Sequence, residues 1–285
     1  MIPSITKKNL KKWIKITLGV IAGWSFWFIL LLVSLKWINP PFTSFTLHEN
    51  WEEVNAERYD LRNYWVSSDE IPKNIQWAVV ASEDQRFWQH NGLDMVAINK
   101  AIEEREGGGR LRGASTISQQ VAKNLFLSND RSFIRKGVEA VITLGIETFW
   151  SKERIMEVYL NIAEFGPGVF GIGKASEYFF DKEASKITND EAARMAVVLP
   201  NPKRMRVEPP TPFVNQRKDW VLRNMMQLSG VDYVPKPNRD IEPKVDYADS
   251  INITRVTYLE QQPMMWMPES DTSVYIADSV EFNWE

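Results

Sequence analysis

The sequence predicts a mainly α-helical protein that follows a single transmembrane helix. Twenty uncharged and mostly apolar residues, 16–35, stand near the N-terminus, and this is the length of a helix across the hydrocarbon core of a bilayer. Beyond residue 90, apolar residues recur at helical spacing between capping residues and Gly or Pro stops. Signals typical of β-strands are confined to residues 231–285.

Composition and charge exclude several classes of protein. A chain of 285 residues that is 44% hydrophobic holds one large domain, or one domain with an appendage. A net charge of −3 argues against a general nucleic-acid binder. The chain has no cysteine, which rules out disulfides and thiol nucleophiles, and its two histidines, His48 and His90, make a His-rich metal site improbable.

The apolar run is predicted to be a retained membrane anchor over residues 16–36. Five lysines lie within the basic segment 1–15, and by the positive-inside rule they hold it in the cytoplasm. The alternative is a cleaved signal peptide, whose apolar core spans only about 7 to 15 residues before a small-residue cleavage site. We therefore expect a single-pass protein of the cytoplasmic (inner) membrane, with its domain on the periplasmic or extracellular side.

Pro40 and Pro41 are predicted to end this helix. Residues 42–74 mix aromatic and polar residues without a clear period, which indicates a connector. The sequence leaves open whether its aromatic side chains lie at the lipid interface or in the core: Phe42, Phe45, Trp51, Tyr59, Tyr64 and Trp65.

Residues 82–93 carry the first candidate catalytic group. Glu83 and Asp84 closely follow the apolar run 77–81, so a carboxylate is delivered where a buried segment enters a loop. Burial on one side raises the pKa of such a group and the loop side admits substrate, which suits an acid/base catalyst. The alternative is an exposed helix end with an acidic pair, and this stretch alone does not decide.

A helix over residues 93–105 is predicted to pack on the core, and a loop with four glycines and two arginines follows over 106–115. Thr116 and Gln119 have the spacing of a capping box, so a helix should begin there with its free N–H groups facing the loop. Such a terminus attracts anions. Gln119 and Lys123 share a face, and we expect them to point at one phosphate or sugar.

The next helix is predicted over residues 132–150, with a buried side made of Ile134, Val138, Val141, Ile142 and Ile146. It also groups Arg135, Lys136 and Glu139. A Lys–Glu pair three residues apart is usually a solvated surface pair. A functional role for this pair is indicated by its neighbours, because four cations lie in a short stretch that follows an anion-attracting helix start: Lys123, Arg131, Arg135 and Lys136.

Four further helices are predicted to complete a domain over residues 42–230, beginning near Ser151, Val169, Thr188 and Thr211. The first of them should bury Ile155, Val158, Tyr159 and Ile162. Residues 231–285 contain eleven acidic and four basic residues. We expect them to form a small irregular or β C-terminal extension.

Four motifs stand in order along the chain: Glu83-Asp84-x-x-Phe87-x-x-His90-x-Gly92, Gly113-Ala114-Ser115-Thr116-x-x-Gln119-Gln120-x-x-Lys123-Asn124, Arg131-x-x-x-Arg135-Lys136-x-x-Glu139, and Tyr159-Leu160-Asn161-x-x-x-Phe165-Gly166. Together they resemble the peptidoglycan glycosyltransferases, which are the lysozyme-like domains of class A penicillin-binding proteins and of the monofunctional biosynthetic transglycosylases. The resemblance covers about residues 70–205. Gly-Pro-Gly after Phe165 resembles the monofunctional branch, and we expect no appended transpeptidase domain.

The resemblance implies a lysozyme-like fold and the polymerisation of lipid II, with inversion and release of undecaprenyl pyrophosphate. By position, Glu83 corresponds to the general base and Glu139 to a second essential carboxylate that orients the cations or a metal-bridged diphosphate. The residues implied to bind diphosphate and sugars are Asp84, Ser115, Thr116, Gln119, Gln120, Lys123, Asn124, Arg131, Arg135 and Lys136.

The resemblance also sets expectations for cofactors and partners. No cofactor should be obligatory and no metal ligands are assigned, although Mg²⁺ or Mn²⁺ is expected to stimulate the reaction. The expected partners are lipid II, the growing lipid-linked strand, the membrane, and other cell-wall synthesis or division proteins, without nucleic acid. The rival functions are a lytic, lysozyme-like glycosidase, which would not need the cations, and a glycan-binding scaffold, which would not need Glu83 and Glu139.

Overall fold

The computed structural model describes residues 7–48, 60–108, 115–128, 130 and 132–230. Within these residues the chain forms ten α-helices and one small hairpin: α1 Lys7–Ser34, α2 Ser44–His48, α3 Lys73–Glu83, α4 Met95–Glu106, α5 Ile117–Phe126, α6 Phe133–Phe149, α7 Lys152–Ile162, β1 Glu164–Gly166, β2 Val169–Phe170, α8 Ile172–Phe180, α9 Asn189–Val198 and α10 Pro212–Ser229. The mainly α fold class is confirmed. The predicted extension over 231–285 lies outside the described residues.

Two groups of helices position the site. In the first group α3, α9 and α10 pack on one another, and in the second α5 packs on both α6 and α7. The antiparallel hairpin of β1 and β2, with Glu164 opposite Phe170, follows α7. The end of α3 meets the start of α5 through hydrogen bonds, which run from Gln120 to Glu83 and from the Ile117 N–H to Asp84.

The helix starts expected from capping residues are confirmed. Thr116 and Thr188 each close a capping box, with Gln119 and Glu191 respectively. The Ser151 hydroxyl accepts a hydrogen bond from the Arg154 N–H at the start of α7. Such bonds satisfy N–H groups that have no partner within the helix, which explains why short polar signals located these boundaries.

Two predictions about burial are wrong. In the described structure α4 buries none of its side chains, so it does not pack into the core. On α6, Ile142 and Ile146 are buried as expected, but Ile134, Val138 and Val141 are 81%, 44% and 70% exposed. The apolar residues cover too wide an arc of α6 for its spacing to show which part faces α5 and α7.

The α1 helix is long and apolar enough, over Trp13–Ser34, to cross a membrane. It has the character of a single-pass anchor. It ends at Ser34 and a hydrogen-bonded turn follows as far as Ile38. The prediction that Pro40 and Pro41 end the helix is therefore wrong, whereas the predicted boundary of the anchor at residue 36 stays a prediction. The chain continues through a turn and then α2, a short helix within the predicted connector.

The end of α1 is joined to the domain at an anchor junction made of Leu32, Leu35, Gly145, Trp150 and Arg154. Leu32 packs so closely on α6 that a Cβ at Gly145 would lie 2.9 Å from its Cδ1. The Trp150 indole donates to the Leu32 carbonyl at 2.8 Å, and the Arg154 guanidinium donates to the Leu35 carbonyl at 3.0 Å. Carbonyls at the end of a helix have no donor within it, and a cation there also interacts favourably with the negative end of the helix dipole.

The aromatic side chains of the connector, which the sequence placed either at the lipid interface or in the core, divide between buried and exposed positions. Phe45 and Trp65 pack against the core, whereas Phe42 is 54% and Tyr64 37% exposed. Trp51 and Tyr59 lie outside the described residues.

Candidate active site

Glu83 is the last residue of α3, directly after a buried stretch that ends at Ala81. Its carboxylate is half-buried, and its Oε2 accepts a hydrogen bond from the Gln120 amide nitrogen at 2.9 Å. Burial raises the pKa of Glu83, and the neighbouring Asp84 charge adds to the rise, against the opposing effects of Gln120 and two cations. The predicted placement of a carboxylate at the end of a buried helix is confirmed.

Asp84 is buried and braces the loop that follows α3. Both of its carboxylate oxygens lie 3.0 Å from His90 Nε2. His90 Nδ1 accepts a hydrogen bond from the Gly92 N–H, so the imidazole carries its proton on Nε2 and donates it to Asp84. Asp84 also accepts the N–H of Ile117, the first residue of α5, at 3.0 Å. The structure thus gives Asp84 a bracing role, and its predicted contact with substrate stays a prediction.

Two further contacts hold the same loop against the start of α5. The Thr116 hydroxyl donates to the Gly92 carbonyl at 2.6 Å. Gly92 has a φ of +91°, and a Cβ there would lie 2.9 Å from Thr143 Cγ2, so the position suits glycine. The Gln119 side chain accepts the Thr116 N–H at 3.0 Å. Gln119 therefore serves the cap, and the structure does not direct it to a shared ligand with Lys123.

Glu139 organises the cations of α6. Its side chain is buried and pairs with Arg135, at 2.6 Å, and with Lys136. Lys136 also donates to the Ser115 hydroxyl at 3.0 Å, and Arg135 donates to the Asp130 carbonyl at 2.6 Å. The Lys136–Glu139 pair is therefore not a solvated surface pair, because the Glu139 carboxylate is buried. This carboxylate fixes two cations beside the start of α5.

Lys123 lies within electrostatic reach of both candidate catalytic carboxylates, Glu83 and Glu139. Burial lowers the pKa of Lys123; Glu139 and Glu83 oppose this, while Arg135 and Lys136 lower it further. Its ammonium also stands 5.4 Å above the ring centre of Phe45. Lys123, Arg135 and Lys136 form a cation cluster that holds more positive charge than Glu139 neutralises. Such a cluster favours an anionic ligand.

Residues 50–226 match the family model described as Transglycosylase. The chain belongs to the transglycosylase family. The predicted lysozyme-like fold is confirmed, and the matched residues lie inside the domain predicted over 42–230.

Relatives named "Biosynthetic peptidoglycan transglycosylase" are similar to this transglycosylase over most of their length. The one from Marinomonas sp. (strain MWYL1) is 48% identical over 207 residues, which are 73% of this chain and 88% of the relative. The one from Pseudomonas aeruginosa is 44% identical over 214 residues, 74% of this chain and 91% of the relative. The one from Escherichia coli is 53% identical over 184 residues, 64% of this chain and 76% of the relative.

The predicted substrate contacts of Asn124 and Arg131 in this transglycosylase are not decided by the described structure. The Asn124 backbone carbonyl accepts a hydrogen bond from Ser44 of α2 at 3.0 Å. Arg131 lies outside the described residues, as do Gly113 and Ala114 of the second motif. Their contacts with substrate stay predictions.

The sequence did not indicate two residues beside Glu83 in this transglycosylase. Arg217 of α10 lies close enough to lower the pKa of Glu83, and its guanidinium stacks 3.6 Å from the ring centre of Trp220. Tyr159 opens the fourth motif and was predicted to lie in the core, but the contact in which its hydroxyl donates to Gln120 at 3.1 Å was not predicted. Arg217 stands in no motif, and helical spacing cannot show a hydroxyl contact inside a core.

The described part of this transglycosylase contains no group of three or more His, Asp or Glu side chains that would hold a metal ion. Both Glu139 oxygens are engaged by Arg135 and Lys136. These residues do not fit a dedicated metal site, so no step is assigned to a metal. Stimulation by Mg²⁺ or Mn²⁺ stays a prediction.

Replacing Asp84 with Ala should destabilise this transglycosylase. The change leaves the buried donors His90 Nε2–H and Ile117 N–H without a partner, at a cost of about 1 to 3 kcal/mol each. Thermal unfolding should show a lower Tm, while the exposed Asp219→Ala on α10 should leave it nearly unchanged. Equal Tm values for the two variants would contradict the bracing role.

Proposed function

We propose that this transglycosylase polymerises lipid II into peptidoglycan strands during bacterial cell-wall synthesis, with inversion and release of undecaprenyl pyrophosphate. The observation that carries the proposal is the position of Lys123. It lies within electrostatic reach of both Glu83, the candidate base, and Glu139, which holds Arg135 and Lys136. A proton acceptor and an anion-binding cluster are thus neighbours, as transfer from a diphosphate-linked sugar requires.

In the proposed reaction Glu83 removes the proton from the 4-hydroxyl of the acceptor sugar. That oxygen attacks the anomeric carbon at the lipid-linked end of the growing strand, and the bond from this carbon to the diphosphate oxygen breaks. The bonding electrons leave with undecaprenyl pyrophosphate. Lys123, Arg135 and Lys136 stabilise the charge that develops on it, and such preorganised stabilisation is commonly the largest part of catalysis.

The cation cluster separates this function from the rivals. A raised pKa at Glu83 suits either a base in transfer or an acid in glycoside hydrolysis. Cleavage of a neutral glycan, however, produces no diphosphate for three clustered cations to neutralise. A glycan-binding scaffold would need neither the half-buried Glu83 nor the buried Glu139. The cluster therefore favours transfer from a diphosphate-linked donor.

The exposed face of α6 supports action at the membrane. Ile134, Val138 and Val141 lie on the same side of the helix as Gly145, and Leu32 of the anchor helix packs on Gly145. The three side chains are exposed to solvent in the described structure. They form an apolar stripe that continues from the anchor, and a lipid bilayer is the partner that would cover both surfaces.

The same helix also carries cations, which fits a lipid that bears a diphosphate. Arg135 and Lys136 stand within one turn of the start of the apolar stripe. On α5, Phe126 contacts Phe28 of the anchor helix with ring centres 5.5 Å apart, and Lys123 is one turn before it. The cation cluster thus lies near the C-terminal part of α1, where that helix would leave the bilayer. The diphosphate of a membrane lipid would be found at the same level.

The proposed location is the cytoplasmic (inner) membrane, with a cytoplasmic N-terminus and a periplasmic or extracellular domain. Protease added to spheroplasts should digest the chain beyond residue 40 and spare the segment before α1. Full release of the intact chain by carbonate extraction would contradict the anchor. The proposed protein partners are other cell-wall synthesis or division proteins.

The test of the activity uses the purified full chain with labelled lipid II in detergent and in vesicles. We expect glycan polymer and released undecaprenyl pyrophosphate, both abolished by a combined Glu83→Gln and Lys123→Ala substitution. Incubation with preformed glycan tests the rival glycosidase. Cleavage of that glycan without polymer from lipid II would overturn the proposal.

A further inference from the structure

A chain of hydrogen bonds leads from the core to the candidate base. Tyr159 on α7 is only 1% exposed, and its hydroxyl donates to Gln120 Oε1 at 3.1 Å. The other end of the same amide, Gln120 Nε2, donates to Glu83 Oε2 at 2.9 Å. The three side chains, on α7, α5 and α3, thus form a chain of hydrogen bonds in which every donor points towards Glu83.

The direction of this chain depends on the Tyr159 hydroxyl remaining protonated. Burial raises the pKa of Tyr159 well above its ordinary value, and the Glu83 and Asp84 charges add to the rise. The hydroxyl therefore keeps its proton throughout the working pH range. A hydroxyl that donates here selects the oxygen end of the Gln120 amide and leaves the NH₂ end for Glu83.

The two ends of the amide have opposite effects on Glu83. An NH₂ group facing the carboxyl group donates to the ionised form and stabilises it, whereas an amide oxygen would accept a proton from the neutral acid and stabilise that form. A general base must be ionised before the reaction begins. The orientation of one amide therefore affects how much of the enzyme is ready to react.

We infer that Tyr159 is a positioning residue for catalysis: through Gln120 it keeps an amide N–H directed at Glu83 and so holds Glu83 in its proton-accepting form. The inference rests on the proposed role of Glu83 as the base. Tyr159 touches neither substrate nor the reacting atoms in this scheme, and it acts only by fixing which end of Gln120 faces the site.

Other charged groups also face Glu83 and must be kept constant. Asp84 adjoins it on the same loop, Lys123 faces it from α5 and Arg217 faces it from α10. Tyr159→Phe alters none of them, because it removes one oxygen atom and keeps the buried ring. The variant thus isolates the orientation of Gln120 from the rest of the electrostatics.

The first test measures lipid II polymerisation against pH for the full chain and for Tyr159→Phe. Without the hydroxyl the amide can turn its oxygen to Glu83, so the acid limb of the profile should move to higher pH. On that limb the rate should fall by about two- to tenfold, the effect of one neutral hydrogen bond, and it should recover on the alkaline plateau. Tyr178→Phe, at an exposed tyrosine on α8, is the matched control.

A rate that falls equally at every pH, with the acid limb unmoved, would overturn the inference and leave Tyr159 a core residue only. A Gln120→Ala background provides a second test, because groups that act through one another are not additive. In that background Tyr159→Phe should no longer move the acid limb. A full additional displacement would show that Tyr159 does not act through Gln120.

A third measurement separates this inference from the proposed function. Infrared difference spectra follow the Glu83 carboxyl band with pH, the band being assigned by its loss in Glu83→Gln. Tyr159→Phe should move that titration to higher pH whether or not Glu83 is the base. A moved titration with an unmoved rate profile would support the amide orientation and overturn Glu83 as the base, whereas an unmoved titration would overturn the orientation itself.

Discussion

Glu83→Gln should reduce lipid II polymerisation by about 10² to 10⁴, the usual contribution of a general base, while substrate binding is retained. Glutamine keeps the shape of the side chain and an oxygen that accepts from Gln120, but it cannot take up the proton of the acceptor hydroxyl. Turnover of labelled lipid II measures the loss. Displacement of a diphosphate-site inhibitor measures the retained binding.

The wild-type pH profile provides a second measurement for the same residue. A base works only when ionised, and because burial raises the pKa of Glu83, activity should be lost on the acid side at a higher pH than for an ordinary carboxylate. The exposed Glu177→Gln on α8 is the matched control and should retain the wild-type rate and profile. A near-normal rate for Glu83→Gln would remove Glu83 as the base and make Glu139 the next candidate.

Lys123→Ala should weaken both binding and turnover, with a loss in kcat of about 10² to 10³, as for removal of one preorganised group that stabilises transition-state charge. The ammonium lies among Arg135, Lys136 and the two carboxylates, so its removal takes a cation from the centre of the cluster. The diphosphate gains charge during the reaction, and kcat should therefore fall in addition to the rise in KM.

The matched control for this variant is Lys186→Ala, which removes an exposed lysine paired with the exposed Glu183. It should leave both kcat and KM nearly unchanged. A rise in KM alone for Lys123→Ala would show that Lys123 binds the ground state and the transition state equally. In that case Arg135 and Lys136, and not Lys123, would stabilise the leaving group in the transition state.

Local signals in the sequence predicted most helix starts and the position of Glu83. The helix expected from Val169 is an exception, because Val169 lies in β2 and α8 begins at Ile172. Thr116, Ser151 and Thr188 each satisfy backbone N–H groups within a few positions of themselves, so their effect is visible in the sequence. Glu83 stands at the end of a buried run, and burial of a short apolar helix is also a local pattern. Such features do not depend on how distant helices pack.

Contacts between distant helices were less predictable. Asp84 accepts the N–H of Ile117 from another helix, and the sequence did not indicate this contact. Arg217 reaches Glu83 only because α10 packs on α3. The arc of α6 that faces inward depends on the buried Glu139, which spacing alone would have left exposed. Tertiary packing decides each of these cases.

The anchor junction changes how this enzyme searches for its substrate. A domain on a slack tether would tumble and sample many heights above the lipid, and each encounter would need the correct orientation. Trp150 and Arg154 instead hold the Leu32 carbonyl in the last turn of α1 and the Leu35 carbonyl just after it, so part of the rotational entropy of association is lost once, when the protein folds. Under the proposed function, collisions with the lipid-linked substrate would then occur by lateral diffusion in a plane, and the strand would leave every copy at a similar angle to the bilayer surface.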